Sequence, residues 1–161
     1  MKVFWAPWRM EYILSDKEEV DCIFCLGDDR PKDSERLILH IGHMSMVMMN
    51  KYPYINAHLL VAPLRHVSGL DQLSNEETMD LLLMVSKSIE ILKLAIHPEG
   101  FNVGLNLGKA AGAGVEEHLH FHIVPRWNGD TNFMPVLGEV KVISQDLMET
   151  KSKLLKAYSK L

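Results

Sequence analysis

Short runs that alternate between apolar and polar positions mark strands along this chain, and two longer stretches repeat at a helical period. Leu37 to Ile41 and Ser45 to Met49 read as a strand pair, with Gly42-His43 at the turn. His58 to Ala62 and Phe101 to Asn106 read as further strands. Ser74-Asn75-Glu76-Glu77 is a capping box. It opens a helix over Thr78 to Ile96, with Met79, Leu82, Leu83, Val85, Ile89 and Leu92 as its expected core stripe, ending before Pro98-Glu99-Gly100. A final amphipathic helix over about 144–161 starts at Ser144 and carries Leu147, Leu154, Leu155 and Tyr158. Residues 1–20, with Trp5, Trp8 and Tyr12, read as an arm packed on the domain. No repeat or long linker interrupts the pattern, so 1–161 is expected to be one domain.

The sharpest alternation is His118-Leu119-His120-Phe121-His122-Ile123. On a strand, the period of two puts three of the chain's eight histidines on one face and Leu119, Phe121 and Ile123 on the other. The apolar face then packs on a core and the imidazoles look into a cleft. Imidazole titrates near neutrality, acts as a nucleophile and binds metal. Nucleophilic chemistry and a three-histidine metal site of the hydratase or lyase kind are both open on these residues alone.

Composition narrows the partners. The chain of 161 residues is 47% hydrophobic and 24% charged, with net charge −4. An acidic chain lacks the basic face that binds DNA or RNA. No apolar run reaches membrane-span length and the N-terminus lacks a signal-peptide core, so a cytoplasmic location is expected. The only cysteines form Cys22-Ile23-Phe24-Cys25, which is no secreted disulfide framework. Zinc binding, redox chemistry and two structural thiols remain open for the pair.

Small residues fill the loop before the histidine run, Leu107-Gly108-Lys109-Ala110-Ala111-Gly112-Ala113-Gly114. Such a loop lets backbone amides approach an anion closely. Met44, Met46, Met48 and Met49 cluster near the first strand pair and are expected to be mostly core.

The run His118-x-His120-x-His122-x-x, apolar at each x, resembles the signature of the histidine triad family of nucleotide-binding proteins. The N-terminal Trp5-Ala6-Pro7-Trp8-Arg9-Met10-Glu11-Tyr12-Ile13 and the segment Val124-Pro125-Arg126-Trp127-x-Gly129-Asp130-x-Asn132-Phe133 resemble a bacterial and archaeal branch that includes dinucleoside tetraphosphate phosphorylases. The resemblance implies an α+β fold, an antiparallel sheet of about five strands with one long helix and a C-terminal helix. It implies a homodimer, and a purine nucleotide or dinucleoside polyphosphate as ligand.

Roles follow by the same resemblance. His120 is the expected nucleophile, forming a nucleotidyl-histidine at the α-phosphorus, and His122 serves the leaving or non-bridging oxygens. Asn50 is expected at the ribose hydroxyls and Asn106 at the start of the phosphate loop, with Gly112, Ala113 and Gly114 along the phosphates and Trp127 against a base. His58 supports the site from behind. Zinc-bearing members of the superfamily, including the galactose-1-phosphate uridylyltransferases, imply a zinc site of Cys22, Cys25, His66 and His118. Gly114 and Ala113 depart from the pattern, because many members carry Ser or Thr and Gln there. The implied activity is transfer from a phosphoanhydride such as diadenosine tetraphosphate to phosphate or water. Phosphoramidate hydrolysis and a nucleotide-binding module with little turnover are the alternatives.

Overall fold

The computed structural model describes residues 22–26, 36–130 and 145–160. The arm at 1–20 and the segment Asn132-Phe133 lie outside them. Five strands form one sheet: β1 (Ile38–Ile41), β2 (Ser45–Met49), β3 (Leu59–Pro63), β4 (Gly100–Leu105) and β5 (Phe121–Arg126), in the order β1-β2-β3-β5-β4. Every neighbouring pair is antiparallel. This is the α+β architecture expected from the sequence.

The middle of the sheet is apolar on both faces: every residue of β2 and β3 is buried. The long helix α1 (Asn75–Ile96) and the C-terminal helix α2 (Leu147–Tyr158) cover one face. Leu81, Val85 and Leu92 of α1 and Leu154 and Tyr158 of α2 join Val47, Met49, Val61 and Ile123 of the sheet in one cluster. On the opposite face, Phe24 closes over Ile38, Met46, Met48, Leu60 and Ala62. Three of the four clustered methionines are thus fully core, and Met44 is half-buried.

Helix α1 begins as its sequence dictates. The Ser74 hydroxyl accepts from the Glu77 amide, and the Glu77 carboxylate accepts from the Ser74 amide. It ends at His97, which adopts the left-handed conformation, φ 48°, before Pro98. The core stripe, however, is turned from the one expected. Leu81, Met84, Val85, Ser88, Ile91 and Leu92 are buried, whereas Met79, Leu82 and Leu83 are 50–61% exposed. Both stripes are apolar, so the pattern sets the helix but not its rotation. Helix α2 starts at Leu147, where the Asp146 carboxylate accepts from the amides of Met148 and Glu149. Thr150 and Lys151 are buried there, and Leu155 is 40% exposed.

Candidate active site

The histidine run does not lie wholly on a strand. β5 begins only at Phe121, and the Leu119 amide donates to the Val67 carbonyl at 2.6 Å instead of entering the ladder. The alternation still directs the rings to one side of the chain, but into three different settings. The rings stand in a row. Phe24 stacks on His120 at 4.8 Å between centroids, His120 meets His122 edge-on at 4.9 Å, and Tyr54 stacks on His122 at 6.0 Å.

His118 faces the cysteines. Its Nε2 donates to the Pro63 carbonyl at 2.9 Å, since a carbonyl can only accept, and this leaves the lone pair on Nδ1. Nδ1 lies 3.3 Å from Cys22 Sγ and 3.8 Å from Cys25 Sγ, and His66 Nδ1 lies 3.2 Å from Cys25 Sγ. All four ligand atoms fall within 4.8 Å of one another. Tetrahedral zinc, with bonds of about 2.0–2.3 Å, sets ligand edges of roughly 3.5 Å. The donor set and its spacing fit zinc, and the Pro63 bond fixes the tautomer that a metal needs.

His120 is 6% exposed. Its Nδ1 donates to the His118 carbonyl at 2.8 Å, so Nε2 carries the lone pair. No hydrogen bond among the described residues uses that Nε2. Burial holds its pKa below the ordinary imidazole value, against the opposing pull of the His118 carbonyl. The ring is neutral near pH 7, as a nucleophile must be.

The His122 tautomer is set by a chain. The Tyr54 amide donates to His58 Nδ1 at 3.2 Å, so the His58 proton sits on Nε2. That proton is donated to His122 Nδ1 at 2.9 Å. His122 therefore carries its own proton on Nε2. That atom is buried and has no hydrogen-bond partner among the described residues. Burial, and then the neighbouring His120, push the His122 pKa down to about 4. A buried donor with no acceptor costs about 1–3 kcal/mol, which a ligand oxygen would recover.

The remaining expected residues divide. Asn50 has both amide ends engaged: its oxygen accepts from the Tyr52 amide at 2.9 Å and its nitrogen lies 3.3 Å from His58 Nδ1. It steadies the turn and His58. Asn106 donates to the Gly112 carbonyl at 3.3 Å, bracing the small-residue loop, in which Gly108 and Gly112 take positive φ of 76° and 85°. Ala113 and Gly114 follow in that loop, half-buried. Trp127 stands apart: its indole donates to the His97 carbonyl at 3.2 Å, at the far end of β5.

A cavity of about 590 Å³ opens on this side of the sheet, walled by His122, Val124 and Arg126 of β5, by β4 from Asn102 to Leu105, and by Asn106, Tyr54, Ile55 and Asp130. His122 is the one member of the triad among its walls, where the sequence placed all three imidazoles on a cleft. Sequence reasoning missed Phe24 and Tyr54. Both are rings within or just after short motifs, and nothing in their spacing marks a stack.

Fold and site together define a histidine triad nucleotide enzyme. Residues 32–129 match the HIT domain family, and the chain belongs to it. It is 38% identical to the AP-4-A phosphorylase of Mycobacterium tuberculosis (strain ATCC 25618 / H37Rv), over 97% of this chain and 84% of that protein. It is 30% identical to the bis(5'-adenosyl)-triphosphatase of Dictyostelium discoideum, over 74% of this chain and 83% of that one. A crystal structure of a Zn-bound histidine triad family protein from Mycobacterium smegmatis shares the fold, with a TM-score of 0.66 and 24% identity over 87% of this chain and 94% of that one. The chain is an enzyme of this family.

Proposed function

We propose that this enzyme transfers a nucleotidyl group from a dinucleoside polyphosphate, such as diadenosine tetraphosphate, through a nucleotidyl-histidine on His120. The observation that carries the reading is the pair of opposed tautomers: a lone pair on His120 Nε2 beside a proton on His122 Nε2. The lone pair attacks the α-phosphorus and forms an N–P bond. The bond from phosphorus to the bridging oxygen breaks, and its electrons leave with the departing nucleoside polyphosphate. The His122 Nε2–H hydrogen-bonds the departing oxygen. Phosphate or water then attacks the same phosphorus and frees His120.

The chemistry of the leaving group favours a phosphoanhydride over a phosphoramidate. A polyphosphate departs as an anion and needs only its charge stabilised. An amine must take a full proton, and burial disfavours an extra proton on His122 in the free site. The same argument accounts for Gly114 standing where many relatives carry a hydroxyl, since a hydrogen-bonded anion needs no further proton donor. Amides of the loop from Gly108 to Gly114 supply additional positive dipole.

Zinc is proposed at Cys22, Cys25, His66 and His118, where it would tie the segment before β1 to the triad and hold His118 rigid. Its ligand His118 also offers the carbonyl that sets the His120 tautomer. The three triad rings do not converge on a shared ion, because His118 and His122 direct their unprotonated nitrogens to the cysteines and to His58. A homodimer is proposed as well, with β4 presenting an unpaired outer edge among the described residues and α1 an exposed face of Met79, Leu82 and Leu83. No described helix is long and apolar enough to cross a membrane.

The acceptor is decided by product. Diadenosine tetraphosphate incubated with the enzyme and inorganic phosphate yields ADP and ATP if phosphate accepts the nucleotidyl group. AMP and ATP appear if water does. Absence of any turnover would overturn the reading.

A further inference from the structure

We propose that the C-terminal helix α2 helps to position the site: the Thr150 hydroxyl, acting through Asn56, holds the turn that aims His58 at His122. The proposal rests on the reading of function above for its rate readout. It carries that reading to a helix whose sequence shows no catalytic feature.

The chain of contacts is short. Thr150 donates its hydroxyl to Asn56 Oδ1 at 3.1 Å, with Thr150 fully buried and Asn56 nearly so. Gln145 Oε1 lies 3.3 Å from the same hydroxyl, but one proton serves one strong bond, and the shorter and more buried one goes to Asn56. A threonine inside a helix commonly turns its hydroxyl back to a carbonyl of the preceding turn. Here the Asp146 carbonyl takes the Thr150 amide at 3.0 Å, and the hydroxyl reaches a residue 94 positions away.

Asn56 stands where the turn needs support. Next comes Ala57, at φ 57°, a left-handed conformation that a non-glycine residue keeps only under surrounding constraint. On its other side the His58 carbonyl accepts from the Asn50 amide at 2.9 Å. The strained residue is therefore held at both flanks, by α2 through Asn56 and by the start of the turn through His58. Its relaxation would swing the His58 ring, whose Nε2 donates to His122 Nδ1 at 2.9 Å. Helix α2 is a firm support, because Leu154 and Tyr158 are buried in the core and the Tyr158 hydroxyl donates to Ser88 of α1 at 2.8 Å.

The test separates positioning from packing. Thr150→Val keeps the shape and removes the hydroxyl, so kcat on diadenosine tetraphosphate should fall about three- to tenfold while KM stays within about twofold. Thr150→Ser, which restores the hydroxyl, should recover most of the rate. Asn56→Ala removes the same bond from the other end and decides the matter if Thr150→Val does not fold. Combined with Thr150→Val, it should cost no more than the larger single change. Nitrogen-15 spectra of the histidine rings give a readout that needs no turnover. His122 should hold its proton on Nε2 in the unaltered chain and lose that single tautomer in Thr150→Val. A folded Thr150→Val with unchanged His122 spectra overturns the proposal, as does a rate loss that Thr150→Ser does not recover. If the unaltered enzyme turns over no dinucleoside polyphosphate, the function reading fails, and the His122 spectra alone decide whether α2 holds the turn.

Discussion

Two donors, the Tyr54 backbone amide and the Asn50 side-chain nitrogen, determine where two imidazoles keep their protons. They occupy His58 Nδ1, His58 then donates to His122 Nδ1, and His122 is left with a buried N–H that has no partner among the described residues. His58 thus acts as a positioning residue through His122. Its backbone is fixed by Ala57, a non-glycine residue at φ 57°, the kind of costly conformation that persists where surrounding contacts demand it. His58→Ala should lower kcat by about 100-fold while KM stays within about threefold. His58→Gln, whose side-chain amide can still donate to His122 Nδ1, should recover part of the loss. Equal losses in the two variants would mean that His58 serves packing alone. The triad itself was legible in the alternation of His118, His120 and His122. The tautomers were not, because they depend on the Pro63 carbonyl, the His118 carbonyl and the Tyr54 amide, which meet these rings only in space. Asn50 adds a contact of the same kind: its amide lies in the turn and beside His58, which its place in the sequence did not reveal.

At the scale of elements, the site hangs between a short N-terminal segment and the start of β5. Phe24 joins the apolar face under the sheet, and the cysteines that flank it reach His118 and His66. His118 sits on both sides of this junction, with its ring in the proposed metal cluster and its carbonyl on His120. Chelation, or Cys22→Ser, should remove the bound zinc and lower the thermal midpoint by on the order of 10 °C. Metal analysis and calorimetry on the same sample read out both quantities. An unchanged midpoint after complete metal loss would remove zinc from the structural account. Strand and helix extents were largely legible. Two features were not. β5 starts at Phe121 because Leu119 spends its amide on Val67, and α1 faces the sheet with Leu81, Met84 and Val85 because tertiary packing chooses between two apolar stripes.

At the scale of the molecule, helices cover one face of the sheet among the described residues, and Phe24 with the proposed site lies on the other. Tyr158 locks the helical side, with its hydroxyl bonded to Ser88, which in turn donates to the Met84 carbonyl. The exposed Met79, Leu82 and Leu83 form an apolar patch on α1 that water does not favour. Sedimentation equilibrium should report twice the 18.3 kDa chain mass, and Leu82→Glu with Leu83→Glu should shift it towards the monomer. A monomeric unaltered chain would contradict the proposed dimer.

Rapid quench of the enzyme with diadenosine tetraphosphate labelled at the α-phosphate asks the central question directly. The account predicts label bound to the peptide that contains His120 at a level approaching one per chain, and none in His120→Ala, which keeps its zinc. Turnover without any labelled protein, or loss of metal together with activity in His120→Ala, would contradict it.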